Sequence, residues 1–567
     1  MLPAVSLPEN RPASTGAAQR YLVATLLAAM HLAAFAIMLW SETDYWSQAT
    51  FVLTWGFLNF TWLVVLRRPW LAAALSLGMI SLLILLSRFK YDVLFMTANF
   101  VDVLLVDEDT ISFLLTISPS LSLTVGIAVL LALPALVLCW RFDHFRVRLP
   151  AASLGCAVCF IGLFALSFGV PNDSDDKWLD DNYVSKFARS AAVMVTDLLT
   201  RGVIESDPIV TERLQPAVDN LCQPKHKPPH IVLVLDESSF DIRVVPGIKV
   251  PPNYGRHFRS FDGKTRSFLA EGASGPTWFS EYNVLSGLSS RSYGRFADSV
   301  TRIAAGRVER GLPRALTSCG YRTFSLYPWM GNFLGARNFQ TTIGIEHFLD
   351  TKFLGTLEVQ PDGFYYDAAV RVIERERDKA PLFLFVYTMA NHFPWNYRFR
   401  PDLASEWQDP GNAPEIDEYL RRQHLSERDY VEFRARLARA FPREAFLLVR
   451  FGDHQPSFAK RIIDPALDDA AIAQQIAQFD PRYFTTYYAI DAVNFRPVDL
   501  SSALDPLDAT YLPVVVLEAA GLLLDPSFAE QKKILQRCRG LFYLCSNGAE
   551  ARRFNRLLID AGLIKEL

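Results

Sequence analysis

Near-continuous apolar runs fill the start of the chain, at roughly residues 21–40, 51–67, 70–87, 121–140 and 150–170. Each approaches the length of about 20 residues that a helix needs to cross hydrocarbon. A helix also leaves no backbone group unpaired there. The pattern predicts five transmembrane helices, the second and third joined tightly through Arg67, Arg68 and Pro69. A cleaved leader is a poor reading of the first run, which lacks a small-residue cleavage site and precedes four more spans.

The arginines orient these helices. Arg11 and Arg20 precede the first span, Arg67 and Arg68 separate the second and third, and Arg141, Arg146 and Arg148 separate the fourth and fifth. The alternate loops carry Glu42 and Asp44, then Asp102, Asp107, Glu108 and Asp109. Basic loops stay cytoplasmic, so the N-terminus is predicted inside and everything after about residue 170 outside. Two further stretches look interfacial rather than spanning: 89–106, apolar but broken by Lys90, Asp92 and Asp102, and 183–200, with an amphipathic helical pattern. They suit either the outer leaflet or a berth beneath the outer domain. Residues 201–228, with Pro208, Pro216, Pro224 and Pro228, read as a linker. The predicted organisation is a transmembrane domain over 1–170, an interfacial helix and linker over 171–228, and a globular domain over 229–567.

Beyond the linker the pattern changes to short, β-branched apolar runs: 230–235, 323–327, 382–387, 446–451, 485–490 and 513–517. Helical patterns at 310–319, 364–378, 426–441 and 527–538 alternate with them. Alternating strands and helices predict an α/β domain with a mainly parallel central sheet, whose sites gather at the carboxyl ends of the strands. Over all 567 residues, 50% are apolar and 21% charged, with a net charge of −3. That balance offers no basic face for a nucleic acid.

Three strand ends carry chemistry. Asp236 and Glu237 follow the first run, Asn391 and His392 the third, and Gly452, Asp453 and His454 the fourth. Carboxylate and imidazole together suit Zn2+ or Mn2+. The small-residue loop Gly272–Pro276 leads into a helical stretch beginning near Thr277. A hydroxyl there would meet free N–H groups and the positive end of the helix dipole. The competing reading is an ordinary capping threonine, and Ser274 and Ser280 are rival nucleophiles.

The order Glu237, Thr277-x-x-x-Glu281, Asn391-His392-Phe393-Pro394, Gly452-Asp453-His454 resembles the lipoteichoic acid synthase type of phosphoglycerol transferase, within the alkaline phosphatase and sulfatase superfamily. Five membrane helices before an extracytoplasmic sulfatase-like domain is also that family's plan. The resemblance implies one divalent ion, Mn2+ or Zn2+, held by Glu237, Thr277, Asp453 and His454, with Thr277 as nucleophile through a phospho-threonine. It places His392 and Arg337 on the substrate, with Trp329 nearby, although Gly335 stands where the family has a tryptophan. The expected donor is a membrane phospholipid and the expected acceptor an extracytoplasmic glycan or lipopolysaccharide, at the plasma (inner) membrane. Phosphoethanolamine transfer is the alternative headgroup, and a non-catalytic membrane scaffold or sensor the alternative class. A sulfatase activity is not expected: the nearest approach to its Cys/Ser-x-Pro-x-Arg motif, Cys222-Gln-Pro-Lys-His226, lacks the arginine. Cys538 and Cys545 are close enough in sequence to pair.

Overall fold

The computed structural model describes residues 14–94, 96–143, 145–170, 180–214, 222 and 227–565. Arg11, Pro216 and Pro224 lie outside the described residues. The chain forms two compact units, one of residues 1–106 and 114–196, the other of 107–113 and 197–567.

Among the described residues of the first unit, five helices are long and apolar enough to cross a membrane: Ser14–Ser41, through its window Ala24–Ser41, then Tyr45–Leu66, Pro69–Leu94, Leu121–Phe142 and Leu149–Gly169. They outrun the predicted apolar runs by a few residues, because helical hydrogen bonding continues into the polar flanks. Two glycines bring the second and fifth helices together. A Cβ on Gly56 would stand 2.7 Å from Cys159 Sγ, and one on Gly155 would stand 2.5 Å from the Phe60 ring. Small residues at such crossings let backbones approach where lipid gives no hydrophobic drive. The stretch 89–106 is not a single helix: its first residues extend the third span to Leu94, and a short helix follows at Phe100–Leu104. The amphipathic helix Tyr183–Thr200 forms as the periodicity predicts. Its Tyr183 and Val184 pack with Met38, Phe51, Ile80 and Ile84 of the membrane helices.

The second unit is built on eight strands: β1 His230–Asp236, β2 Arg266–Leu269, β3 Arg322–Leu326, β4 His347–Leu349, β5 Leu382–Tyr387, β6 Phe446–Gly452, β7 Thr485–Val493 and β8 Leu507–Asp508. They lie in the order β4-β3-β5-β1-β6-β7-β2-β8. Strands β4 through β6 are parallel, and β7 runs antiparallel to both β6 and β2. β1, β5 and β6 are buried along their whole length, which is why they read as unbroken apolar runs. Register brings Leu235 opposite Tyr387 and Asp236 opposite Gly452, so three carboxyl ends finish side by side.

One predicted strand is a helix. Residues 513–517 fall within the buried helix Leu512–Ala519, where Pro513 occupies the first turn. A short, fully buried apolar run has no periodicity to separate the two, and proline suits the first helical turn while lacking the N–H a central strand needs. The other helical patterns form as Leu312–Ser318, Asp362–Glu376, Pro414–Ala440 and Pro526–Cys538.

Candidate active site

The site grows from the ends of β1, β5 and β6. At the end of β6 the backbone is pressed against the loop after β1: a Cβ on Gly452 would fall 1.8 Å from the carbonyl oxygen of Ser239. Only glycine fits this approach. It lets Ser238, in the left-handed region at φ 51°, donate its N–H to Asp453 Oδ1 at 2.8 Å, while its hydroxyl donates to Glu237 Oε1 at 2.8 Å.

Glu237, Asp453 and His454 are all buried, and one ligand atom from each lies within 4.8 Å of the others. His454 Nε2 stands 3.3 Å from Asp453 Oδ2 and 3.6 Å from Glu237 Oε1. The other ring nitrogen, Nδ1, donates to the carbonyl of Gln455 at 2.9 Å. That bond leaves Nε2 as the ring nitrogen that faces the two carboxylates. Gln455 is itself pinned, donating at 2.8 Å to the carbonyls of Arg482 and of Thr485. Asp453 Oδ2 is buried without a hydrogen-bond partner among the described residues. Both carboxyls are pushed up from their ordinary values, mainly by burial; for Glu237 the neighbouring Asp453 adds to it. Three acceptors facing one another with an orphaned oxygen are what a divalent cation would satisfy, and the donor set of carboxylates and imidazole fits one.

Thr277 is the first residue of the helix Thr277–Ser286; the cap position belongs to Pro276, and no side chain caps the helix. Its hydroxyl lies 3.3 Å from His454 Nε2. Ser280, one turn portion further on, is buried and donates to the main-chain carbonyl of Asp453 at 2.5 Å. That bond ties the helix to the metal-type cluster. The hydroxyl of Ser280 is thereby spent, while that of Thr277 faces the cluster.

The Asn391–Pro394 segment follows β5. Thr388 donates its hydroxyl to Leu235 O at 3.1 Å, and the N–H groups of Met389 and Ala390 donate to Asp362 Oδ1 at 3.1 and 2.9 Å. His392 is half-buried; its Nδ1 donates to Phe393 O at 2.8 Å, and burial, with His454 nearby, pulls its pKa down to about 4. It is a neutral ring with Nε2 open as an acceptor. Arg337, on the helix Ala336–Thr342, is ion-paired with Asp350 and lies 4.7 Å over the Phe348 ring, with a partly exposed guanidinium. Trp329 follows β3 and is half-buried. The structure thus gathers Glu237, Thr277, Asp453 and His454 into one cluster, and engages Arg337 with a carboxylate. Ser238, Thr388 and Gln455 support this geometry without having been anticipated, and Ser280, a rival nucleophile in the sequence, has a supporting part instead. Their one signal is adjacency to the strand-end residues, since single serines and glutamines carry no pattern of their own.

Cys222 is joined to Cys319, and Cys538 to Cys545. The cysteine nearest a sulfatase-type motif is therefore consumed in a disulfide.

Comparison with known proteins returns the Sulfatase family model over residues 265–480. An uncharacterised protein of Haemophilus influenzae is 24% identical over 220 residues, 36% of this chain and 39% of that protein. The chain thus matches about two fifths of the length of that curated relative. Among solved structures, the Streptococcus pyogenes phosphoglycerol transferase GacH, in complex with sn-glycerol-1-phosphate, aligns at 14% identity. That alignment has a TM-score of 0.46 and covers 62% of this chain and 92% of that one. The Neisseria meningitidis lipooligosaccharide phosphoethanolamine transferase EptA aligns at 12% identity and TM-score 0.42, over 85% of this chain and 96% of that one. The Listeria monocytogenes lipoteichoic acid synthase LtaP aligns at 16% and 0.41, over 52% and 73%. Residues 265–480, which match the Sulfatase family model, lie on a mainly parallel sheet that follows five apolar helices among the described residues.

Proposed function

We propose that the protein transfers a phosphoglycerol headgroup from a membrane phospholipid to an extracytoplasmic glycan, by way of a phospho-threonine at Thr277. The observation that carries this reading is the convergence of Glu237, Asp453 and His454 beside the Thr277 hydroxyl, 3.3 Å from His454 Nε2. A divalent ion held by these residues would supply positive charge to the phosphoryl oxygens and lower the pKa of the hydroxyl.

In the first stage a bond forms between Thr277 Oγ1 and phosphorus as the bond to the diacylglycerol oxygen breaks. The proton lost by Thr277 ends on that oxygen. In the second, an acceptor hydroxyl attacks the phospho-threonine, giving up its proton as Thr277 is restored. A two-stage route of this kind is ping-pong. The neutral His392, with Nε2 open, is suited to taking the acceptor's proton rather than to supplying one. The ordered carbonyl of Gln455 keeps His454 in the tautomer that presents Nε2 to the site.

Location supports the reading. Both disulfides lie in the second unit, while Cys139, Cys156 and Cys159 of the membrane helices are free. Disulfides persist in an oxidising compartment, in line with the outward orientation expected from the arginine clusters. The decisive experiment is mass spectrometry of the Thr277 peptide after incubation with phospholipid and no acceptor. An adduct of glycerol phosphate on Thr277 supports the proposal. Ethanolamine phosphate there would replace the headgroup, and an unmodified Thr277 in an enzyme that still transfers would overturn the mechanism.

A further inference from the structure

The loop from Asn391 to Phe399 is held by side chains of the helix Pro414–Ala440: Glu418 and Arg421 at its Phe399 end, and Arg422 along the rest. Arg422 is completely buried. Its Nε donates to Glu418 Oε1 at 2.7 Å, Nη1 to His392 O at 2.7 Å, and Nη2 to Pro394 O at 2.8 Å and Tyr397 O at 3.2 Å. Glu418 is buried too, and also accepts from Arg421, from Arg398 and from the N–H of Phe399. A buried guanidinium is costly unless its donors are matched, and here three of the partners are main-chain carbonyls of a single loop. A planar fork can grip several carbonyls at once; an ammonium cannot hold that pattern.

The grip has a consequence for His392. The carbonyls of residues 392 and 394 both turn toward Arg422. The carbonyl of Phe393, between them, is directed elsewhere and meets His392 Nδ1 at 2.8 Å. A carbonyl only accepts, so Nδ1 carries a proton, and in the neutral ring Nε2 is then the bare nitrogen. His454 is held in the same manner by the carbonyl of its own following residue. For His454 the pin is the Gln455 side chain; for His392 it is Arg422.

We propose that Arg422 is a positioning residue: by holding the carbonyls of His392 and Pro394 it directs the Phe393 carbonyl onto His392 and sets that imidazole's tautomer. Its bearing on catalysis rests on the phosphotransfer reading; its bearing on the tautomer does not. The test uses the full chain in detergent with 15N-labelled histidine, tractable with 9 histidines, the His392 signals being identified by their loss in His392→Gln. In the parent, His392 shows a protonated Nδ1 and a bare Nε2. Arg422→Lys keeps the charge beside Glu418 but not the fork. It should give mixed His392 tautomers and a fall in kcat on the order of tenfold to a hundredfold, with KM for the lipid donor changed by no more than about twofold. Arg439→Ala, on the exposed end of the same helix, should leave both measurements unchanged. A His392 spectrum in Arg422→Lys identical to the parent overturns the proposal whatever the activity does. Should Arg422→Lys not fold, Arg422→Gln decides: it removes the fork that holds the carbonyls of His392 and Pro394, and an unaltered His392 spectrum there overturns the proposal equally. Absence of any headgroup transfer by the parent would sink the functional reading, while the spectrum still decides the role of Arg422.

Discussion

Glu281 offers a prediction whose size follows from the structure. It lies in the helix that begins at Thr277, is 2% exposed, and accepts a hydrogen bond from Gln340 Nε2 at 2.8 Å. Burial pushes its pKa up from 4.5 to about 7, against the pull of its hydrogen bonds. Below pH 4.5 the carboxyl is protonated in both folded and unfolded chains. Between 4.5 and about 7 the unfolded chain releases the proton while the folded chain keeps it, so rising pH favours unfolding. The stability lost through this window corresponds to about 3 kcal/mol, and it stays lost above it. Glu281→Gln copies the protonated acid in shape and cannot ionise. The variant should match the parent near pH 4.5 and exceed it by about 3 kcal/mol at pH 8. For a unit of this size that is about 4 °C in Tm. Thermal scans of both proteins at the two pH values give the difference directly, since other titrating groups cancel in the comparison. A Tm difference between variant and parent that does not change with pH would refute the reasoning.

Other outcomes follow from the same geometry. Gly452→Ala sets a Cβ 1.8 Å from the Ser239 carbonyl, a clash with backbone that no rotamer relieves, so it should cost about 3 kcal/mol or more in denaturant unfolding. Asp453→Asn removes a buried carboxylate from the acceptor cluster. The purified chain should then lose its divalent ion on elemental analysis while keeping its far-UV spectrum. Replacing Cys222 and Cys319 by serine opens a link between residues 97 apart, and should lower stability by about 4–5 kcal/mol in chain-entropy terms, read as a lower denaturant midpoint. Thr277→Ala should abolish the covalent adduct and leave the ion bound, because Glu237, Asp453 and His454 remain; retention of an adduct elsewhere would reassign the nucleophile.

The legibility of this protein tracks how much of each feature is local. The membrane helices and the central strands β1, β5 and β6 are written as continuous apolar runs because their surroundings are apolar on every side. The same property made residues 513–517 look like a strand, since complete burial erases periodicity in helices as well. β2, β4 and β8 are 4, 3 and 2 residues long and leave no pattern, being held by their neighbours in the sheet. The reversed direction of β7 is likewise a tertiary choice. At the site, Glu237, Asp453 and His454 stand out because ionisable residues directly after buried strands are chemically conspicuous. Thr277 does not separate from Ser274 and Ser280 in sequence. What separates them is that Pro276 holds the cap and that Ser280 is committed to the carbonyl of Asp453. Arg422 is the extreme case. In a helix as charged as Pro414–Ala440, an arginine reads as one more solvated side chain. Yet its guanidinium is completely buried, and three of its partners are carbonyls of a loop about thirty residues away. Its one side-chain partner, Glu418, is an ordinary i,i+4 pairing on the same helix, and main-chain oxygens leave nothing in the sequence to mark the rest. The most exact part of the site, the orientation of its histidines, is therefore the part that only the folded chain displays.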